Sequence, residues 1–472
     1  MDKKLHVHFM GIGGSGTAPV AIIAKKLGFE VSGCDIEKSS YYGDELRENS
    51  IEIKIGHNIE HLEDVDVVAV SPAIFDINPN HPELLEARRR NILMTWQEFM
   101  GKYLHDKKEL ICIAGTHGKS TTTILAGLTF EAGGLDPIVE AGTIYKPWGS
   151  GFRFGNSKYF VCEADEFNCN FLNYSPSVAI INNIEMDHPE YFKDFNEFKN
   201  AFKGFIKNIK KQGLLVVNEE SQGIRDVLIE MKEWLNENDI KVVGYYIKDK
   251  FDFPFDFEYR AEVTGYTPDS IEYNLDGEDW KHNFKLGIPG EHNLMNSLGV
   301  VCAAYKLGVD LKAISGAFEN YKGIGRRGEL VGEVKGIKVY DDYGHHPTAI
   351  SATLDTFKMC YPDRCIWAIY EPHQISRLKL FLEGFASALN KADKVIVTKT
   401  FVGREIHKKI QPIDMDLLIK RIDEGKAEYI EDFDDVAKNI TSKVNPGDVI
   451  IVFGAGNSHK LTKGIIDALQ VN

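Results

Sequence analysis

Gly115-Thr116-His117-Gly118-Lys119-Ser120 lies between an apolar run, LICIA, and a helical stretch, TTTILAGLTFEAGG. A strand that enters a glycine-rich turn and then a helix offers free backbone N–H groups to an anion, and the helix dipole favours negative charge there. Lys119 can place its ammonium on the β/γ-phosphates of a nucleoside triphosphate, and Ser120 can offer a hydroxyl to Mg²⁺. The common G-x-x-x-x-G-K-[ST] spacing requires glycine at 113, where the chain has Ile113, so this loop is shorter than usual. Its placement between strand and helix nevertheless points to ATP and phosphoryl transfer. Two carboxylate-rich stretches follow at predicted strand ends: Glu163-Ala164-Asp165-Glu166 after KYFVC and Glu185-Met186-Asp187-His188 after VAIINN. Hard cations take oxygen ligands, sometimes with an imidazole, at the carboxyl ends of parallel strands. Either stretch alone reads as a solvated loop; downstream of a phosphate loop they read as Mg²⁺ partners.

A second loop, Gly11-Ile12-Gly13-Gly14-Ser15-Gly16, fits G-x-G-x-x-G directly after a predicted strand. The first two glycines let the backbone turn and approach a pyrophosphate, and the third permits close helix–strand packing. A helix is expected from about Thr17 to Leu27, stopped by Gly28. Asp35 closes the second strand about twenty residues on, where a ribose hydroxyl would be held. NAD and a UDP-sugar both present a diphosphate and a ribose, and the loop accepts either.

The elements that must position these loops form three segments. Residues 1–105 alternate short apolar runs (LHVHFM, FEVSGCD, VDVVAVS) with helical stretches, the pattern of parallel β-α-β units. Residues 106–325 open a second α/β unit with strands at KYFVCEAD, VAIINN and GLLVVN, then shift from about Val242 to Pro289 to period-two alternation, an antiparallel meander attached to this segment. Residues 326–472 carry a third α/β pattern, with strands at IKVYDD, CIWAIY, KVIVTK and DVIIVF. The fold class expected is α/β in three domains: an N-terminal Rossmann-like domain, a central P-loop ATPase-like domain with a small antiparallel sheet, and a C-terminal Rossmann-like domain.

Across 472 residues, 43% are hydrophobic and 26% charged, which fits globular domains with real cores. The net charge is -15 without any basic tract, which disfavours nucleic acid and anionic membranes as partners. No apolar run approaches the ~20 residues that span a bilayer. The opening MDKKLHVHFMGIGG is broken by His6 and His8 and reads as a first strand, not a signal peptide. Seven cysteines without a C-x-x-C pair suit a reducing cytosol, and all seven read as small core residues. A zinc site at His345-His346 lacks partners at the usual spacings. The expected location is cytoplasmic.

AGTHGKSTTT resembles the phosphate loop of the Mur ligases, whose short G-T-x-G-K-[ST] form accounts for Ile113. GIGGSGTAPVA, SGCD, EADE, NNIEMDHPEYF, GEHNLMNS, GIGRR, YDDYGHHPT, PHQISR and FGAGN extend the resemblance over the whole chain in order, toward the branch that adds L-alanine. The resemblance implies an ATP-dependent carbon–nitrogen ligase of peptidoglycan biosynthesis. It would join L-alanine to the carboxylate of UDP-N-acetylmuramate through an acyl phosphate, with ATP and Mg²⁺, as a monomer or homodimer. By the same resemblance, Gly11, Gly13, Gly14, Ser15, Gly16, Asp35 and Ser71 hold the UDP-substrate. Gly115, Thr116, His117, Gly118, Lys119, Ser120, Thr121, His292, Asn293, Asn296 and Asp342 hold ATP. Ser120, Glu166 and His188 hold the metal, and Tyr343, His345 and Arg377 meet the amino acid. Lys119, His188 and Arg326 or Arg327 act in catalysis. His292, Asn293 and Asn296 fall on one helical face; a polar helix start that caps itself is the plain alternative.

Ser120 stands where the branch more often has threonine, and Gln374 where many members have arginine, while Arg377 keeps the second arginine. The glutamine leaves the identity of the amine open. Within the family the alternatives are a recycling ligase for a murein tripeptide and an archaeal pseudomurein peptide ligase. From another class, an NAD-dependent oxidoreductase explains the first loop but leaves GTHGKS without a purpose.

Overall fold

The computed structural model describes residues 4–36, 42–407 and 410–471, so the leading residues Met1–Lys3 lie outside it. The chain forms two compact units, Met1–Ile184 with Lys199–Tyr259 and Gly299–Ala317, and Glu185–Phe198 with Arg260–Leu298 and Phe318–Asn472.

The first unit holds a five-stranded parallel sheet of β1 (His6–Met10), β2 (Glu30–Asp35), β3 (Ile53–Ile55), β4 (Val67–Val70) and β5 (Leu93–Thr95), in the order β3-β2-β1-β4-β5. The order reverses at β1, and the crevice at the carboxyl end of such a switch strand is where ligands bind in open α/β sheets. Gly11–Gly16 occupies that place, followed by the helix Thr17–Lys26 with Thr17–Ala24 buried throughout. The helix ends at Lys26, one residue earlier than expected, with Leu27 as its cap, and Gly28 turns away with φ 99°.

The same unit holds β6 (Glu109–Ala114), β7 (Ile138–Tyr145), β8 (Ser150–Arg153), β9 (Tyr159–Glu163), β10 (Val178–Ile181), β11 (Leu214–Asn218) and β12 (Lys241–Tyr246). They lie in the order β12-β11-β10-β6-β9-β7-β8, and only the β7–β8 pairing is antiparallel. Strand β6 is flanked by β9 and β10, so the phosphate loop leaves β6 between the two strands that end in the acidic stretches. Strands buried on both faces need continuous apolar runs, and ICIA, FVC and VAII supply them. Lys241–Tyr246 pairs parallel to β11, which corrects the expected start of the antiparallel segment. That segment begins with β13 (Phe257–Thr267).

In the second unit β13 pairs antiparallel with β14 (Ser270–Asp276), and β14 with β15 (Lys281–Leu286). A six-stranded sheet follows, of β16 (Glu329–Val334), β17 (Ile337–Asp342), β18 (Ile366–Tyr370), β19 (Lys394–Val397), β20 (Ala427–Tyr429) and β21 (Val449–Phe453), ordered β16-β17-β21-β18-β19-β20. Only the β16–β17 hairpin is antiparallel, turned at Lys335-Gly336 with both residues at positive φ. Its two faces carry separate cores, one around Tyr370, Phe385 and Phe453, the other around Trp367, Ile450 and Leu461.

Gly33 shows how tightly the first loop lies on its sheet. A Cβ there would fall 2.4 Å from Ile12 Cδ1 and 2.8 Å from the Phe9 carbonyl oxygen. Ile12 can move, but the Phe9 carbonyl belongs to β1. Overpacking of this kind typically costs about 1–3 kcal/mol. Gly33→Ala should lower the unfolding free energy measured in urea by that amount; an unchanged free energy would show that the loop has slack.

Candidate active site

In the first unit the phosphate loop is shaped by two glycines and braced by two asparagines. Gly115 has φ 137° and Gly118 φ 82°, a region that side chains strain to enter. A Cβ on Gly115 would also lie 3.2 Å from Asn182 Cβ and from the backbone N and O of Asn183. The His117 amide donates to Asn183 Oδ1 at 2.8 Å, and the Asn182 and Asn183 side-chain amides donate to the His117 carbonyl at 3.3 and 3.2 Å. Asn182 also donates to Thr122 Oγ1 at 3.0 Å, tying the end of β10 to the helix Lys119–Ala132. These asparagines were not among the expected site residues; their signal in the sequence is the Asn-Asn pair that ends VAII.

Lys119 donates to Glu166 Oε2 and to the Gly115 carbonyl, both at 2.7 Å. Burial alone would lower the ammonium's pKa, but Glu166, Asp165 and Glu163 outweigh it and hold it above its ordinary value. Lys119 therefore stays charged at neutral pH, with a carboxylate oxygen where a phosphate oxygen would be welcome. No side chain caps the start of its helix among the described residues. The first helical N–H groups, on Lys119, Ser120 and Thr121, have no intrahelical acceptor and face outward as anion donors. Glycine-lined backbone, uncapped amides and a held ammonium fit a triphosphate. The half-buried Ser120 hydroxyl and the Glu166 carboxylate are the oxygen donors that suit Mg²⁺.

The first loop is braced from its own sheet. Gly11 and Ile12 donate to the Cys34 carbonyl at 2.9 and 3.1 Å, and Gly13 donates to Asp35 Oδ2 at 2.8 Å. Asp35 Oδ1 accepts the Ile36 amide at 2.8 Å. The carboxylate expected to meet a ribose thus holds the loop as well. A Cβ on Gly11 would lie 3.0 Å from Ser71 Cβ, so Ser71 is beside the loop. The third glycine makes room for something other than the expected strand, since a Cβ on Gly16 would fall 2.6 Å from the Trp96 ring.

The second unit holds the other expected residues. Arg326, at φ 58°, donates to Asp341 Oδ2 at 3.2 Å and through Nη2 to the Gly454 carbonyl and Ser458 Oγ at 2.7 Å each. Arg327 makes no hydrogen bond or ion pair among the described residues, and its guanidinium lies 5.0 Å from the Tyr343 ring centre. Of the two arginines, Arg326 is the one held by its neighbours. Asp342 is buried and accepts the Gly344 and Gly328 amides at 2.7 and 2.8 Å, so it shapes the turn that carries Tyr343 and His345. His345 Nδ1 is 2.9 Å from the Tyr343 carbonyl, and burial pushes its imidazole well below the ordinary value. Burial and the nearby Arg327 lower His292 to about 4. At the start of the helix Glu291–Lys306, Asn293 Nδ2 donates to the Pro289 carbonyl at 2.7 Å, while Asn296 is buried.

Arg377, expected to meet the amino acid, is paired within the protein. It is 1% exposed, and its Nε and Nη2 bind Asp187 Oδ1 at 3.0 and 2.9 Å while Nη1 donates to His373 Nδ1 at 3.0 Å. Burial would raise Asp187, but His188, Arg377, His345 and His346 overcome it and hold the carboxyl well below its usual range. The next residue, His188, has φ 53°, and its Nδ1 lies 3.3 Å from Glu190 Oε1. Arg377 thus holds the segment that carries His188.

Three family descriptions match the chain in order: Mur ligase family, catalytic domain, over residues 6–108; Mur ligase middle domain over 113–304; and Mur ligase, glutamate ligase domain, over 326–456. A UDP-N-acetylmuramate–L-alanine ligase of Caldicellulosiruptor bescii is 38% identical over 455 residues, 96% of each chain. The chain belongs to the Mur ligase family. One of the same name from Alkaliphilus metalliredigens is 35% identical over 98% of this chain and 97% of its own. The crystal structure of UDP-N-acetylmuramate-alanine ligase from Thermotoga maritima matches with a TM-score of 0.77 at 26% identity, covering 99% of both chains. A murein peptide ligase from Psychrobacter arcticus shares the fold, with a TM-score of 0.68 at 24% identity over 98% of both chains. Among the described residues of this Mur ligase, no helix is long and apolar enough to cross a membrane.

The Asp187–Arg377 pair can be tested directly. Removing one member of a buried ion pair strands the other charge at a cost of about 3–5 kcal/mol. Arg377→Met should lose that much in urea denaturation at neutral pH, and adding Asp187→Leu should recover much of it. Because the Asp187 pKa is depressed on folding, the pair's contribution is present above the ordinary value of 3.8 and lost as pH falls through the folded value. Undiminished stability in Arg377→Met would return the arginine to a purely ligand-binding part.

Proposed function

We propose that this Mur ligase joins L-alanine to the carboxylate of UDP-N-acetylmuramate at the expense of ATP. The observation that carries the ligase chemistry is the Gly115–Ser120 loop, with Lys119 held charged beside Glu166 and an uncapped helix start beyond it. Full-length similarity to relatives named for the alanine-adding reaction supports the choice of substrates. Residues 1–105 bind the UDP-substrate, 106–325 bind ATP, and 326–472 bind the amino acid. The tripeptide-recycling and pseudomurein alternatives are not favoured, and neither is an oxidoreductase.

An amine cannot displace oxide from a carboxylate, so the carboxylate must first be activated. Its oxygen attacks the γ-phosphorus of ATP, the bond to the β-phosphate oxygen breaks, and ADP leaves an acyl phosphate. The amine then adds to the acyl carbon, loses a proton, and inorganic phosphate departs with its bonding electrons. The first step brings two anions together, so charge neutralisation dominates the barrier. Lys119 moves from the Glu166 carboxylate to the phosphate oxygens, and Arg327 adds a second positive charge. Ser120, Glu166 and His188 would hold Mg²⁺, which when bound supplies further positive charge to the phosphates. Gly11–Gly16 and Ser71 hold the UDP moiety, Asn296 contacts the nucleotide, and Tyr343 and His345 meet the amine substrate. Arg326, Asp342 and Arg377 keep these groups in place.

Loss of one such preorganised charge typically costs about 10²–10³ in rate. Lys119→Ala should therefore release ADP at least that much more slowly while still binding UDP-N-acetylmuramate by calorimetry. The wild type, offered alanine, serine, glycine and a murein tripeptide, should turn over fastest with alanine. Unchanged ADP release in the variant would remove Lys119 from the mechanism, and preference for the tripeptide would make the protein a recycling ligase.

A further inference from the structure

Beside β1 and β2, four side chains with metal-ligating atoms converge. His8 comes from β1, Cys34 from β2, His61 from the short helix Ile59–Leu62, and Glu83 from the helix Pro82–Arg89. We propose that these four residues form a closed site for a divalent, thiolate-preferring cation, with Zn²⁺ the best match.

The distances carry the proposal. His8 Nε2 lies 3.3 Å from Cys34 Sγ and 3.2 Å from Glu83 Oε1, Cys34 Sγ lies 3.5 Å from Glu83 Oε1, and His61 Nδ1 lies 3.6 Å from the same oxygen. One ligand atom from each residue falls within 4.8 Å of the other three. Tetrahedral zinc with bonds of about 2.0–2.3 Å separates its ligands by roughly 3.3–3.7 Å. The nearer contacts already have that spacing, and a fifth donor, His57 Nδ1, stands 3.0 Å from Sγ.

Hydrogen bonds satisfy most of the cluster, since Cys34 Sγ lies within reach of His8, His57 and Glu83, but they leave one ring nitrogen over. His8, Cys34 and Glu83 are fully buried, and among the described residues the ion-pair partners of Glu83 are imidazoles only. Among the described residues His61 Nδ1 is buried without a hydrogen bond, Glu83 Oε1 at 3.6 Å lying beyond hydrogen-bond length, and a group so placed is costly. A dication would neutralise one thiolate and one carboxylate and give the imidazole lone pairs an acceptor. His8 Nδ1 lies 2.9 Å from Ser32 Oγ, the outer hydrogen bond that orients a ligating histidine. A thiolate with imidazoles selects zinc over magnesium, so this site and the proposed Mg²⁺ site differ in their cation. Four protein ligands leave no open position, which makes the role structural. Bound metal would fasten the two helices to the strand whose Cys34 carbonyl receives the Gly11 and Ile12 amides, and so would steady the first glycine loop.

The test uses the full-length protein, stripped with a chelator and reloaded with Zn²⁺ or Co²⁺ in the presence of excess Mg²⁺. Mass spectrometry of the wild type should find one zinc per chain. The cobalt form should show a thiolate-to-metal charge-transfer band that disappears in Cys34→Ser. His61→Gln, at the partly exposed edge of the cluster, should keep the fold by circular dichroism yet lose the zinc, and Ser32→Ala should weaken zinc binding about 10–100-fold. Folded wild-type protein that takes up no zinc, or zinc and a thiolate band that persist in both Cys34→Ser and His61→Gln, would overturn the proposal.

Discussion

The architecture of the phosphate loop depends on keeping one ammonium charged inside the protein. Burial works against the Lys119 charge, and three carboxylates from the strand end after β9 reverse that effect. An ammonium in this setting needs an anionic partner at all times, and Glu166 serves until a better one arrives. The strand order serves the same requirement. With β6 paired to β9, the loop emerges beside the strand end that carries Glu163, Asp165 and Glu166, and a different pairing would separate Lys119 from its carboxylates.

The two glycine loops solve a common problem with different braces. A glycine-rich turn free to collapse would satisfy its backbone N–H groups on itself, so each loop needs a brace. In the first, the Cys34 carbonyl and Asp35 carboxylate receive three of the loop amides. In the second, the neighbouring strand supplies Asn182 and Asn183, which grip His117 from both its amide and its carbonyl. Each brace lies at the carboxyl end of the strand adjacent to the loop, so β-sheet register decides whether it reaches.

In the second unit, most of the charged residues with family counterparts support their neighbours. Arg326 is bound by Asp341, Gly454 and Ser458, Asp342 by two backbone amides, and Arg377 by Asp187 and His373. Groups this heavily bonded hold geometry, and the remaining bonding capacity falls to Arg327, Tyr343 and His345. A family motif therefore mixes residues that touch ligand with residues that position them, and only their hydrogen bonds tell the two apart.

Local patterns made much of this legible from the chain alone. Glycines at 115 and 118, a lysine at 119 and an apolar strand ahead of them specify a phosphate loop because all the determinants lie within a dozen residues. The parallel strands of four to six apolar residues were readable for the same reason, whereas Ile53–Ile55, Leu93–Thr95 and Ala427–Tyr429 are three residues long and only partly buried, too short to show a period. The β16–β17 hairpin was hidden because Glu329–Val334 is half exposed, so its apolar residues keep no buried face, with Leu330 and Val331 both turned to solvent. What tertiary structure alone decided is which distant side chains share an interior. Arg377 meets Asp187 across 190 positions, and Cys34, read as plain core, meets two histidines and a glutamate. No residue spacing encodes such meetings. They follow from which strands pair and which helices cover them, and a buried charge or thiol takes its chemistry from those neighbours.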